Sequence, residues 1–280
     1  MSIRKRQIAI SLNHNGVIGV DDKLLFSAPA DLSKFAKFTD GTSIIAGRVT
    51  AQQMVNCGMR IKNRRPLIVI TETGIIEGTC DQDDKWIYYV KNLQDALIQA
   101  EVLCLDLRLN GYTVAGGKRV YDDYLNLVDS GKVRPNAAYL FSHKMDPMVP
   151  AVALSRDFAQ VRKLLEVRMA QPRYVWHEAD VVGTDFNGKR VRAIEGNFGY
   201  LYDNREVDPY EVKMVESHAR VETDGGEVSI DLFRITGWAR KTEIKSVEIH
   251  TLGGKTITVR PRSAAGLNSL LFALNMTAFA

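Results

Sequence analysis

Apolar residues along this chain recur with two periods, and the switching between them lays out the architecture. Residues 7–12, QIAISL, form a short strand-like run that ends in a polar turn at 13–16 and delivers Val17, Ile18 and Gly19 to a loop. Beyond Pro29, Leu32, Phe35 and Phe38 recur at helical spacing with Ser33, Lys34 and Lys37 on the other side, so a helix is predicted that stops near Gly41. Residues 43–46 read as a strand entering a Gly-Arg turn and a helix that starts near Thr50. Residues 66–71 (PLIVIT) and 85–90 (KWIYYV) read as strands, and 92–103 as a helix. A strand then ends at Ala115 in two glycines, after which Val120, Tyr121, Tyr124, Leu125 and Val128 return to helical spacing. With AYLFSH at 138–143 as another buried strand, this alternation predicts a three-layer α/β fold with a mainly parallel sheet.

The character changes after Pro147 and Pro150. Residues 154–169 read as an amphipathic helix with Phe158, Val161, Leu164 and Leu165 inward, and from residue 173 the pattern is strand-like, with turn signals at Asn187-Gly188, Asp224-Gly225-Gly226 and Gly253-Gly254. An apolar helix is predicted at 264–276. The organisation expected is one α/β unit over 1–172 and a β-rich C-terminal extension over 173–280, which either completes the sheet or mediates assembly, as a homo-oligomer through hairpin edges and the closing helix.

Composition adds bounds rather than identity. With 45% hydrophobic residues, 280 residues can bury a substantial core, and 37 basic against 33 acidic residues, spread along the chain, favour no nucleic-acid partner. Arg4-Lys5-Arg6 reads as a solvated tail before the first strand. The apolar run after it is too short for a signal-peptide core, and no segment approaches the roughly 20 apolar residues of a membrane span, so a cytoplasmic protein without a membrane partner is expected. Cys57, Cys80 and Cys104 are odd in number and widely spaced, which argues against a disulfide framework or zinc knot.

Three features carry chemistry. Asp31 sits one turn before Phe35, on the apolar side of the predicted helix; locally, the first-turn or dipole reading outweighs that of a carboxylate kept in a partly dry pocket with a raised pKa. The turns at Gly47-Arg48-Val49-Thr50 and Gly116-Gly117-Lys118-Arg119-Val120 each set backbone amides and a helix N-terminus where phosphate oxygens can be received, and two such turns suit a dinucleotide. Each alone also fits a plain tight turn, and GGKRVY lacks the spacing of the Rossmann fingerprint or the P-loop. No metal site emerges: His177-Glu178 has Val181 where a zincin needs its second histidine. Ser142 and His143, neighbours on a strand, cannot pair as nucleophile and base, and Trp176, Trp238, Tyr200 and Tyr202 read as core or hairpin pairs.

Read in order, NGVIGVDDKLLFSAPADLSKF, IIAGRVT, NRRPLIVIT, VAGGKRVY and LFSH resemble the dihydrofolate reductase family over about residues 7–145. The resemblance implies that family's fold and NADPH-dependent reduction of dihydrofolate to tetrahydrofolate. Under it, Asp31 is the active-site carboxylate that bonds the pterin and helps N5 acquire a proton, and Ser142 stands where the family has a threonine whose hydroxyl bonds that carboxylate. Leu32 and Phe35 match the apolar wall around the substrate rings, and Arg64 the arginine gripping the substrate's carboxylate, with Arg60 and Arg65 close enough for that assignment to shift. Gly47, Arg48, Thr50 and Thr71 match positions around the cofactor's phosphates, Gly116, Gly117, Arg119 and Val120 the second phosphate turn, and Tyr121 the tyrosine near the nicotinamide.

There are departures too. Leu25-Phe26 replaces the Pro-Trp of the family's mobile loop, keeping an apolar lid with Phe26 over the substrate; Ala46 and Ala115 are small enough to widen the pocket; and either Tyr174 to Val182 with a later strand completes the sheet as the family's final hairpin, or the helix at 154–169 is an insertion. In the first strand, Ala9, Ile10 or Ser11 is expected to supply the carbonyl facing the nicotinamide. Two other readings share these motifs: a pyrimidinone reductase of flavin synthesis, against which the PADLSKF context speaks, and a non-catalytic scaffold built on a reductase fold.

Overall fold

A computed structural model describes residues 4–59, 61–62, 64–77, 85–203, 205–206, 218–231, 235–241, 246–251, 256–263, 267 and 270. The chain runs β1 (Lys5–Asn13), β2 (Val17–Val20), β3 (Lys23–Leu24), β4 (Phe26–Ser27), α1 (Pro29–Phe38), β5 (Thr42–Gly47) and α2 (Arg48–Asn56). It continues through β6 (Leu67–Ile70), β7 (Ile87–Val90), α3 (Leu93–Asp106), β8 (Gly111–Val114), α4 (Lys118–Asp129) and β9 (Ala137–His143). Then come β10 (Val152–Ala153), α5 (Phe158–Arg168), β11 (Pro172–Asp185) and β12 (Arg190–Asp203).

Strand β1 is the axis of the sheet. Its alternation sends Ile8, Ile10 and Leu12 into one core and Ala9 into another, so both faces must be covered. Helices α3, α4 and α5 cover the first face through Ala96, Leu125 and Leu165; α1 and α2 cover the second through Phe38 and Ala51. The nine strands lie in the order β4-β11-β12-β9-β1-β8-β5-β6-β7. From β9 to β7 the neighbours are parallel, whereas β12, β11 and β4 join antiparallel. The predicted α/β fold with a mainly parallel sheet is therefore observed.

Hairpin β11–β12 completes that sheet. Strand β12 pairs with β9 from Asn197↔Ser142 to Tyr202↔Ala137, so the sheet runs on to Asp203 and a unit boundary after residue 172 falls at the start of a sheet strand. Helix α5 belongs to the same body, and it starts later than its hydrophobic spacing suggests. Asp157 accepts from the Gln160 amide while the Gln160 side chain accepts from the Asp157 amide, a capping box that fixes its first turn at Phe158. Leu165, fully buried, anchors α5 to the first core; Leu165→Ala is expected to lower unfolding free energy by about 2–5 kcal/mol, measured by denaturant titration.

The rest of the extension is a smaller β unit. β13 (His218–Thr223) pairs with β14 (Gly226–Asp231), and β15 (Ile235–Lys241), β16 (Ser246–Thr251) and β17 (Thr256–Val259) form a three-stranded sheet. Val221, Ile230, Val247, Ile249, Val259 and Leu270 share one apolar cluster, and the Arg262 amide donates to the Glu222 carbonyl at 2.8 Å. The predicted closing helix lies outside the described residues apart from Leu267 and Leu270, as do Arg60 and Cys80. Among the described residues, no helix is long and apolar enough to cross a membrane.

Candidate active site

The chain leaves β1 toward β5, β6 and β7, then returns through β8 to β9 on the far side of β1. Parallel sheets open a crevice at such a reversal, outside the carboxyl ends of the strands. A cleft of about 2210 Å³ occupies this place, lined by Ala9 and Ser11 of β1, by Asp31 and Phe35 of α1, and by both glycine turns.

Pro29 starts α1 and Ala28 precedes it without a side-chain cap, so Asp31 is a first-turn residue but not the cap. Its carboxyl is 5% exposed, faces the cleft, and accepts a hydrogen bond from the Tyr139 hydroxyl at 2.6 Å. Burial pushes its pKa up to about 7, against the opposing pull of the Tyr139 and Ser11 hydroxyls and the Lys34 charge. Such a carboxyl exchanges a proton near neutral pH, which an exposed aspartate cannot do.

Two expected site residues are placed elsewhere. Ser142 does not line the cleft: Tyr139 and Phe141 face the second core while Ala138 and Leu140 face the first, so alternation turns Ser142 away from Asp31. The hydroxyl assigned to Ser142 is supplied instead by Tyr139, three residues earlier on the same strand and therefore on the opposite face. Phe26 is not a lid over the substrate either. It is 1% exposed and packs its ring against Phe141 and His143, at 6.0 and 5.4 Å, because β4 pairs with β11 as the sheet's edge and turns Phe26 into the second core. Leu25 is buried as well, at 2%.

Lys34, expected on the solvated side of α1, is 6% exposed, and its Nζ lies 5.8 Å from the Tyr200 ring centroid. Tyr200 arrives from β12, and its ring centroid is 5.3 Å from that of Tyr139. Tyr139 and Tyr200 both line the cleft, and neither was singled out from the sequence as a site residue. Alternation along AYLFSH contained the signal for Tyr139; nothing local to Tyr200 could reveal its partner on α1.

Beside Asp31, Leu32 and Phe35 line the cleft as expected. Arg64 and Arg65 both reach it, but differently. Arg64 is exposed and lies 3.4 Å from the Asp40 carboxylate, whereas Arg65 is partly buried and its Nη1 donates to the Ala36 carbonyl at 3.2 Å. Burial lowers the Arg65 pKa, opposed by the Asp40 charge. Held against the end of α1, Arg65 is the more preorganised guanidinium.

The glycine turns meet. Gly47 ends β5 and Gly116 follows β8, its neighbour, and the Gly47 amide donates to the Gly116 carbonyl at 3.1 Å. A Cβ on Gly116, whose φ is +153°, would lie 2.3 Å from Thr50 Cγ2, and Gly117 is the N-cap of α4 at φ +88°. Neither α2 nor α4 has a side-chain cap, so the first amides of both helices are left for another acceptor. Arg48, Thr50, Thr71, Arg119 and Val120 line the cleft around these turns. Arg119 is exposed and lies 3.5 Å from Glu72. The Tyr121 hydroxyl donates to the Ala9 carbonyl at 2.6 Å, tying α4 to β1 between the turns and Asp31. That bond occupies one of the three first-strand carbonyls considered for the nicotinamide.

Residues 7–149 match the family described as dihydrofolate reductase. Among solved structures, the chain is similar to a dihydrofolate reductase from Enterococcus faecalis complexed with NADP(H) and RAB-propyl, at 19% identity and a TM-score of 0.41, covering 73% of this chain and 99% of that one. No curated protein matches in sequence.

Proposed function

This chain belongs to the dihydrofolate reductase family, and from that premise we propose that it reduces 7,8-dihydrofolate to 5,6,7,8-tetrahydrofolate with NADPH. The observation that carries the reading is Asp31: a buried carboxyl poised near neutrality opens into the cleft that also receives both glycine turns. When bound, NADPH supplies the hydride. The chain's residues fit it, since two uncapped helix starts face one cleft and a Cβ at Gly116, between them, would strike Thr50. The amides following Gly47 and Gly117 would hold phosphates, and the guanidinium of Arg48 would favour a cofactor with the additional phosphate of NADPH.

Asp31 would bind the substrate's aminopyrimidine edge and raise the proton affinity at N5, where one proton is taken up as hydride reaches C6. Its carboxyl must be protonated or poised to exchange a proton, so turnover falls as pH rises through about 7. Tyr139 and Ser11 hold the carboxyl in place, Leu32 and Phe35 pack on the flat rings, and Arg65, with Arg64 beside it, would hold the substrate's carboxylate. In purified full-length protein, dihydrofolate is expected to trigger NADPH oxidation with stoichiometric tetrahydrofolate. Tight NADPH binding with no turnover would instead identify a scaffold.

Tyr139→Phe gives a separate check. The lost hydroxyl stabilises the ionised carboxylate, so its removal raises the Asp31 pKa further and moves the alkaline fall of activity upward by roughly one to two pH units. A pH–rate profile of the variant beside wild type reads this directly.

A further inference from the structure

Lys34 is a buried charge that the reaction as described leaves unused. A lysine stem normally carries its ammonium out to water, yet this side chain is only 6% exposed. Lys34 does not line the cleft, so it cannot reach a bound ligand, and any effect on the chemistry passes through a neighbour. That neighbour is Asp31. Residues three apart on a helix share a face, so Asp31 and Lys34 leave α1 on the same side.

The ring against which the ammonium rests comes from the C-terminal hairpin. Lys34 Nζ lies 5.8 Å from the Tyr200 ring centroid, within cation–π range. That ring is fixed from two sides, by Phe38 of α1 at 5.8 Å and by Tyr139 of β9 at 5.3 Å, and the Tyr139 hydroxyl donates to Asp31 at 2.6 Å. Ammonium, ring, phenol and carboxyl are therefore one contiguous buried group. The other groups that act on Asp31 are Ser11 of β1 and Tyr121 of α4. Ser11 carries no charge, and burial pushes the phenols of Tyr121, Tyr139 and Tyr200 above the ordinary tyrosine value, so they stay neutral where Asp31 titrates. Among the described residues around Asp31, Lys34 thus supplies the positive charge, in low-dielectric surroundings where it acts more strongly than at a surface.

We propose that Lys34 is a positioning residue for the reaction at Asp31: its ammonium, held on the Tyr200 ring, favours the ionised carboxylate and so keeps Asp31 able to exchange its proton near neutral pH. Tyr200 lies beyond residues 7–149, so the C-terminal hairpin takes part in setting the active-site carboxyl as well as completing the sheet. This role rests on the reductase reading above.

The test compares purified full-length wild type with Lys34→Met and Lys34→Gln, which remove the charge, and with Lys34→Arg, which keeps it. Two readouts are taken: the Asp31 titration, from carbon NMR of protein carrying isotope-labelled aspartate with the signal assigned by its loss in Asp31→Asn, and the pH–rate profile of dihydrofolate-dependent NADPH oxidation. Both neutral variants are expected to move the Asp31 midpoint and the alkaline fall of activity upward together, by about half to one pH unit. Lys34→Arg is expected to hold both within about 0.2 unit of wild type. An Asp31 midpoint unchanged in the neutral variants overturns the proposal. So does an equal shift in Lys34→Arg, which would show that packing rather than charge acts, or a shifted midpoint with an unshifted rate profile. A wild type that binds NADPH but does not oxidise it with dihydrofolate overturns the reductase reading, and the role in the reaction with it, whatever the carboxyl titration shows.

Discussion

Asp31→Asn is expected to lower kcat/KM for dihydrofolate by roughly 10²–10⁴, the usual contribution of a positioned acid or base, while NADPH affinity stays within about twofold. The substitution keeps the volume and leaves an oxygen for the Tyr139 hydroxyl to bond, so the aromatic stack behind it need not rearrange. What it removes is the exchangeable proton. The same change acts oppositely on stability. Burial raises the Asp31 pKa from 3.8 to about 7, so the folded state holds a proton that the unfolded state releases. The associated stability is complete below the unfolded value and is lost as pH rises through about 7. Above that pH wild type carries a buried charge that Asn does not, and Asp31→Asn is expected to melt at a higher temperature there, with the gap closing in acid. Loss of activity accompanied by greater alkaline stability separates a catalytic carboxylate from a structural one.

Gly116→Ala is the second change with a large expected effect. At φ +153° an alanine is strained, and its Cβ would fall 2.3 Å from Thr50 Cγ2 and 3.0 Å from Thr50 Cβ. Thr50 belongs to α2, whose N-cap Gly47 donates to the Gly116 carbonyl, so the clash pushes the two phosphate turns apart. A cost of about 1–3 kcal/mol in stability is expected from the backbone alone. The NADPH dissociation constant should rise at least roughly tenfold, because both helix starts must meet one dinucleotide. Combining it with Thr50→Ala should recover part of the loss, since the closest atom is then gone; calorimetry on the double variant measures that coupling.

Features written in a local period were legible from the sequence. Gly47 and Gly116 stood out because a strand-like run, a glycine and a helical repeat follow one another, and that order is also what places the turns side by side in the sheet. Asp31 was visible as a carboxylate on an apolar helix face, although its neighbourhood alone favoured a helix-start role and only the ordered motifs further along reversed that. Phe26 shows where local reading stops. Its burial is set by a two-residue strand paired with β11, a partner from far along the chain, and hydrophobicity cannot say whether such a ring faces a cleft or a core. Ser142 failed for a different reason: it lies an odd number of residues from Tyr139 on β9, so the alternation that brings Tyr139 to Asp31 turns Ser142 to the other face, and the matched motif outweighed that pattern. Lys34 was misplaced because the ring that shelters its ammonium, Tyr200, lies on the C-terminal hairpin.

The most direct measurement is the rate of a single turnover of dihydrofolate by the NADPH-loaded full-length protein, followed from about pH 5 to about pH 9 in wild type and Asp31→Asn. A wild-type rate that falls with an apparent pKa near 7, together with a slow and nearly pH-independent rate in the variant, is the result predicted for a buried carboxyl that governs proton delivery. A wild-type rate with no titration in that range, or a variant as fast as wild type, would contradict it.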